Sequence, residues 1–386
     1  MKPLFKYTGG KYKEYKFIKD KMPLSINNYY EPFVGGGGIL FRLNEENKIN
    51  GKNYISDISK SLIDFYNCVG LSEFKLQLDA LNTAWNTIGD FAKSMANMYG
   101  KKFFEIILKN EEQKNDETNP KKKKKKKTPK VEFVDPEMLL MIEKQVSLIE
   151  YDFHNFDLVG KIVESLNDKT NRFKSKNIKE DETDVPFNAI TTSIHQAFYF
   201  VIRDMYNDWN NNGHENDYSI EERSAHWFFI REYCFGSMFR YDRNGNFNIP
   251  YGGFGYNDKC FSCKIDNIFS EDAKFIENNT IATCNDFERF LTFFKYEKDD
   301  FIFLDPPYDS TFSDYDGNSF SKEDHVRLAN VLKNIPCKWM MAIGKTEFIY
   351  NLYKDFNIIE YDKTYMYQAR GEYDNKHTTH LLITNY

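Results

Sequence analysis

Tyr30-Glu-Pro-Phe-Val-Gly-Gly-Gly-Gly38 is the stretch whose reading decides the fold. Tyr29–Tyr30 have strand character, the glycines make a turn, and Ile39–Leu43 continue at helical spacing. Tyr54–Ile55 then read as a second strand ending near Asp57, and Leu62–Tyr66 open another helix. This is the βαβ start of a doubly wound α/β sheet. Glycines at a strand-to-helix turn let the backbone approach a ligand and aim helix N–H groups at it. Asp57 follows at about the 20-residue distance from which a carboxylate accepts both hydroxyls of a ribose. Together these point to a cofactor containing a nucleoside and leave open which one.

Working outward, strand-type patterns return only late in the chain, at Phe301–Leu304, Lys338–Ile343 and His380–Thr384. Between them, Met138–Ile149 and Ala189–Trp209 carry apolar residues at helical spacing. The expected organisation is therefore an α/β body, residues 1–70 and 276–386, split by a mostly helical insertion over 71–275. Two polar stretches, about 109–130 and about 167–185, are expected as exposed, little-ordered loops. The first contains the homopolymer Lys121–Lys127, which could grip phosphates or serve as a nuclear localisation signal; a solvated run is the preferred reading.

Asp305-Pro-Pro-Tyr308 follows directly on Phe301–Leu304, and open α/β sheets present ligands at the carboxyl ends of their strands. Two prolines fix a rigid turn and leave their carbonyls to point into a site. A carboxylate and a proline carbonyl both accept hydrogen bonds from an amino group and would orient its lone pair. The tyrosine ring can stack on an extruded base. A plain proline turn after a core strand is the bland alternative. Lys6-Tyr-Thr-Gly-Gly-Lys11 adds a tight turn flanked by cations, uninformative by itself.

Composition excludes other classes. Hydrophobic residues make up 41% of the chain and aromatics 17%, far too rich for a disordered protein. The longest apolar runs are much shorter than the roughly 20 residues of a membrane helix, and no signal peptide is apparent. A net charge of −6 supplies no global attraction to nucleic acid but permits a local basic surface. The six cysteines are dispersed and are expected as reduced thiols. Cys260-Phe-Ser-Cys263 is only half of a zinc motif, the histidines do not cluster, and no metal is expected.

With these motifs in this order, the sequence resembles the DNA adenine methyltransferase (Dam) family, the alpha-group or D12-class N6-adenine methyltransferases. Phe5–Lys11, Tyr30–Gly38, Tyr54–Asp57 and Asp305–Tyr308 look like its N-terminal, cofactor, ribose-binding and catalytic motifs. Phe239–Gly252 is similar to its DNA-reading hairpin and Thr379–Tyr386 to its closing strand. The resemblance covers about residues 3–67 and 226–386. It implies a Rossmann-like S-adenosylmethionine-dependent methyltransferase fold, with 71–275 as an inserted helical target-recognition domain. By the same resemblance Asp305, Pro306, Pro307 and Tyr308 are catalytic. Tyr7, Lys11, Glu31, Phe33, Gly35, Gly37, Asp57, Asp286, Phe287 and Asp305 bind S-adenosyl-L-methionine. Lys6, Phe235, Arg240, Tyr241, Asn246 and Pro250 face DNA.

The implied reaction is methylation of adenine, flipped out of double-stranded DNA, at a short palindrome such as GATC. A cognate restriction endonuclease would be a partner, and a monomer or weak dimer is expected. The expected location is intracellular: cytoplasmic, or nuclear or in a viral factory if the host is eukaryotic. An RNA adenine methyltransferase and an inactive DNA-binding relative are the alternatives. The chain departs from the family at His380, where an acid is common, and at Ile343-Gly344, where a Ser-Asn pair is common. Its helical stretch is also longer than usual, and the lysine run has no counterpart.

Overall fold

The computed structural model describes residues 2–7, 9–115, 130–174, 182, 184–211, 213, 217–309, 320–369 and 372–386, with backbone alone at 109–115, 211, 363–369 and 372–377. The chain divides into two compact units, one of 1–74, 237–248 and 266–386 and one of 75–236 and 249–265. Residues 237–248 and 266–275 thus group with the α/β body.

The first unit is built on a seven-stranded sheet. Its strands are β1 (Tyr29–Glu31), β2 (Asn53–Asp57), β3 (Thr280–Cys284), β4 (Phe301–Leu304), β5 (Lys338–Gly344), β6 (Asn357–Ala369) and β7 (Glu372–Thr384). Their order is β3-β2-β1-β4-β5-β7-β6. The first five run parallel, and β7 is antiparallel to both β5 and β6. This is the expected Rossmann-like doubly wound sheet. Strand order reverses between β1 and β4, the switch point at which such sheets hold ligands. Pairing of Tyr29 with Phe301 and Tyr30 with Ile302 sets the end of β1 beside the end of β4.

Why these strands are central follows from their residues. Phe301-Ile-Phe-Leu304 is buried at every position, as expected where helices cover both faces of a parallel sheet. Tyr30, Ile302, Leu304, Met341 and Ile343 pack with Phe290, Leu291 and Leu328 from flanking helices. Those three residues come from helices late in the chain, introduced below; the early helices of this unit are α1 (Tyr15–Ile18), α2 (Gly38–Glu45) and α3 (Lys60–Cys68).

The second unit is helical. It contains most of α4 (Ser72–Asn115), then α5 (Pro136–Val146), α6 (Leu158–Phe173), α7 (Asp184–Asn211) and α8 (Ile220–Tyr233). Trp85, Phe198, Phe229, Tyr233 and Phe261 form an aromatic core within it. Asp135 and Asp157 cap α5 and α6 by accepting from Met138 and Gly160 N–H. The chain then returns to the sheet through α9 (Ser262–Ile268) and α10 (Lys274–Asn279). It continues through α11 (Phe287–Phe293), α12 (Lys322–Leu332) and α13 (Glu347–Leu352).

Three expectations are corrected. Both polar stretches begin inside helices, since α4 runs to Asn115 and α6 to Phe173. Polar residues carry a helix wherever one face still packs, as Leu166 and Thr170 do on α6. The lysine run and residues 175–181 and 183 lie outside the described residues. Finally, Cys260 and Cys263 form a disulfide rather than reduced thiols, their Cα atoms 5.4 Å apart and within bridging reach. Cys284 and Cys337 are free thiols.

Candidate active site

The carboxyl ends of β1, β2 and β4 gather the sequence motifs. Asp305 follows β4 directly, and its carboxylate receives the Lys11 ammonium as a salt bridge. Lys11 Nζ also donates to the Tyr308 hydroxyl at 2.9 Å and to the Gly9 carbonyl at 3.4 Å. Lys11 is only 2% exposed, so the N-terminal motif delivers its cation into the interior, onto Asp305-Pro-Pro-Tyr308. Breaking such a buried pair by removing one partner costs about 3–5 kcal/mol, because the other charge stays behind.

Around Tyr308 lie the two departures from the family pattern. His380 on β7 meets its ring edge-on at 5.3 Å, and a Cβ added at Gly344 would come within 3.5 Å of it. Asp309, the next acid, accepts from Thr346 at the start of α13.

The glycine loop is held from within the protein. Gly35 and Gly37 take left-handed backbone, φ +46° and +65°, which favours glycine. A side chain at Gly35 would meet the Tyr7 ring at 2.8 Å, and one at Gly36 would meet Tyr7 Cβ at 2.6 Å. Part of the demand for glycine therefore comes from the N-terminal motif lying on the loop. Asp57 accepts the Gly35 N–H through Oδ2 and the Ser59 N–H through Oδ1, and the Tyr66 hydroxyl donates to the Gly35 carbonyl.

Glu31, at the end of β1, is 2% exposed. It accepts from the Tyr29 hydroxyl at 2.9 Å and from the Leu40 N–H. Burial pushes its pKa well above the usual carboxylate range, with Asp305 and Asp57 adding to the rise.

Beyond β3, Phe287 packs its ring 5.6 Å from Phe33 and 5.5 Å from Phe320. Asp286 caps α11 by accepting from Glu288 N–H and receives Arg327 Nη2 at 2.9 Å. The Arg327 guanidinium lies 4.8 Å from the Phe287 ring centroid and also binds Glu288 and Asp324. Hydrogen bonds to those acids raise its pKa further. Phe320 and Arg327 were not legible in the sequence, since neither belongs to a motif.

Residues 240–248 form a tight hairpin in the α/β unit. Tyr241 pairs antiparallel with Phe247, and Asp242 Oδ1 accepts the Asn244 and Asn246 N–H groups. Those donors hold the Asp242 carboxyl below its ordinary pKa. Arg240 is exposed with its Nε on Asn248 Oδ1 at 2.9 Å. Phe239 lies 6.2 Å from the Tyr7 ring, linking hairpin to glycine loop. Lys6 is exposed. Phe235 and Pro250 belong to the helical unit, where the Phe235 N–H donates to the Pro250 carbonyl and Phe235 is 55% exposed.

Among the described residues, no group of three or more His, Cys, Asp or Glu is placed to hold a metal ion. No helix among them is long and apolar enough to cross a membrane. The chemistry on offer is a fixed carboxylate, proline carbonyls and an aromatic ring at a strand end, beside a glycine turn and a second carboxylate.

The family model of D12 class N6 adenine-specific DNA methyltransferases matches residues 7–162 and 166–367, running through the helical insertion. The type II methyltransferase M.CviBI of Paramecium bursaria Chlorella virus NC1A is 33% identical over 224 residues, 56% of this chain and 83% of that protein. The type II methyltransferase M.MjaIII of Methanocaldococcus jannaschii is 24% identical over 400 aligned positions, covering 100% of this chain and 99% of its own. The DNA adenine methylase of Haemophilus influenzae is 29% identical over 127 residues, 32% and 42% of the two chains.

Proposed function

From the premise that the chain belongs to the D12 class of N6 adenine-specific DNA methyltransferases, we propose that it methylates adenine in duplex DNA with S-adenosylmethionine as donor, on a base flipped to Asp305–Tyr308. The observation that carries the reading is Asp305 at the end of β4, held by Lys11 and next to the end of β1 across the switch point.

The donor set suits this cofactor. Asp57, partly exposed at the end of β2, would take the ribose hydroxyls, with the Phe33–Phe287 aromatic wall beside it for the adenine ring. The ionised Asp305 suits a neighbouring cation. Bound S-adenosylmethionine supplies an electrophilic methyl on a sulfonium. The protein's own contribution is to orient and to accept. The Asp305 carboxylate and the Pro306 carbonyl would receive the hydrogens of the adenine amine and turn its lone pair out of conjugation. Tyr308 would stack on the flipped base. Adenine's amine is a poor nucleophile because that lone pair is delocalised, so positioning is the main task. No covalent bond to the enzyme is required.

The hairpin over 240–248 would read the site, with Arg240, Tyr241 and Asn246 on it, and Lys6, Phe235 and Pro250 as further DNA contacts. A short palindrome of the GATC type is the expected target, and a restriction endonuclease of the same specificity the expected partner. Expression in a methylation-free strain, with methyladenine mapped across the genome by sequencing, tests base and site together. Wild type should mark adenine at one short motif, and Asp305→Ala should lose about 10³-fold or more. A folded Asp305→Ala protein that still labels DNA would overturn the mechanism.

A further inference from the structure

An acceptor for an amine must be a carboxylate, not a carboxylic acid. A protonated Asp305 would offer a hydrogen where the target amine also offers one. Yet the reaction drives Asp305 toward protonation, since seating a base over it removes water and desolvation favours the neutral acid. The titratable groups that face it are Tyr29 and Glu31 from β1, Tyr308 from its own loop and Lys11 from the N-terminal segment. Three of these four are acids, and Lys11 is the cation among them.

Lys11 is also built for one place. Its ammonium has three hydrogens. Three acceptors meet it: the Asp305 carboxylate, the Tyr308 hydroxyl and the Gly9 carbonyl. The side chain is sequestered from water while the Asp305 side chain stays 19% exposed. A lysine that merely lined the cofactor pocket would not need its charge spent on the catalytic acid.

We infer that Lys11 is the positioning residue of the reaction, fixing Asp305 in its ionised form and holding one carboxylate oxygen in place while the adenine amine is engaged. This rests on the functional reading above and deepens it. Glu31, at the neighbouring strand end, makes the contrast: its described partners are the Tyr29 hydroxyl and the Leu40 N–H, and burial raises its pKa, whereas Asp305 is paired with an ammonium.

The test compares wild type, Lys11→Met and Lys11→Arg. Single-turnover methyl transfer from labelled S-adenosylmethionine to DNA is followed from about pH 5.5 to about pH 9, a range spanning a carboxyl raised by a few pH units. Affinity for S-adenosylmethionine is measured by calorimetry. At saturating S-adenosylmethionine, Lys11→Met should have the acid limb of its rate profile moved to a pH higher by about one to three. Below that limb the rate falls about tenfold for each further drop of one in pH, and it recovers at high pH. Lys11→Arg should keep the limb where wild type has it, with a lower plateau.

An equal loss at every pH, or a loss confined to S-adenosylmethionine affinity, would overturn the inference. If Lys11→Met does not fold, a limb displaced in Lys11→Arg would overturn it instead. Carboxyl-¹³C aspartate spectra, assigned with Asp305→Asn, follow Asp305 directly and need no turnover. A raised titration in the lysine variant is expected, and an unmoved one would refute the role. Wild type inactive on DNA, with Asp305 titrating as expected, would count against the methyltransferase reading and not against Lys11.

Discussion

Glu31 shows how one buried acid reports on the whole switch point. Its carboxyl is satisfied by the Tyr29 hydroxyl and the Leu40 N–H, and burial raises its pKa well above the ordinary range. A raised carboxyl pKa in the fold means that the native state binds a proton the unfolded chain releases. Stability is therefore full below the unfolded pKa and falls as pH rises toward the folded one. Thermal unfolding of Glu31→Gln, which is neutral at any pH, should gain on wild type over the pH range that begins at the ordinary carboxylate pKa and rises from there. A constant difference over that range would mean that Glu31 is ionised in the fold. At Gly35 the argument is steric. Alanine there needs φ +46° and meets the Tyr7 ring at 2.8 Å. Gly35→Ala should cost about 1–3 kcal/mol in urea unfolding. A cost that vanishes on also truncating Tyr7 to Ala would assign it to the contact and not to the backbone.

At the scale of elements, the central strands were readable and the edges were not. Residues 301–304, 339–343 and 29–30 are buried at every position and carry apolar or aromatic groups, because both faces are covered. By contrast β3 is an edge strand of Thr-Ile-Ala-Thr-Cys without clean alternation, and β6, the other edge, opens with the mixed run Asn-Ile-Ile-Glu-Tyr-Asp. Such segments form through pairing with a neighbour, a long-range fact that local pattern does not carry. The site divides in the same way. Asp305, Gly35 and Asp57 sit in motifs whose spacing places them at strand ends, whereas Lys11 was legible only through the family resemblance. Arg327 and Phe320 meet Asp286 and Phe287 only because α11 and α12 pack side by side. The hairpin over 240–248 makes its own prediction. Asn248 holds Arg240 by Nε, which presents the guanidinium in a set orientation, as base-edge recognition requires. Arg240→Ala should weaken binding by about 1–3 kcal/mol and relax the preference at one base pair. Uniform weakening across sequences, with a salt dependence lower by about one charge, would make it a phosphate contact.

Over the whole molecule, the chain leaves the sheet after β2 and re-enters it at β3, yet these two strands pair in register from Asn53–Thr280 to Asp57–Cys284. Loop-closure entropy grows only slowly with length, so an inserted helical unit of this size need not unsettle the sheet. The same reasoning applies one level down to the lysine run. Downstream of that run the chain is anchored from Val131 on. Val131 N–H donates to Asn171 Oδ1, Asn171 Nδ2 returns to the Val131 carbonyl, and Phe133 N–H donates to Asn167, all on α6. With the downstream end tied to a helix, replacing Lys121–Lys127 by serines should leave the melting temperature unchanged. It also decides between a solvated tract and a grip on DNA. Each phosphate neutralised contributes about 0.9 to the slope of log affinity against log salt. If only three of these lysines bound phosphates, the slope would fall by about 3, far beyond measurement error. The expected result is an unchanged slope, because seven like charges in sequence repel one another and are best solvated. A slope reduced by two or more would instead make the tract a second DNA contact, independent of the hairpin.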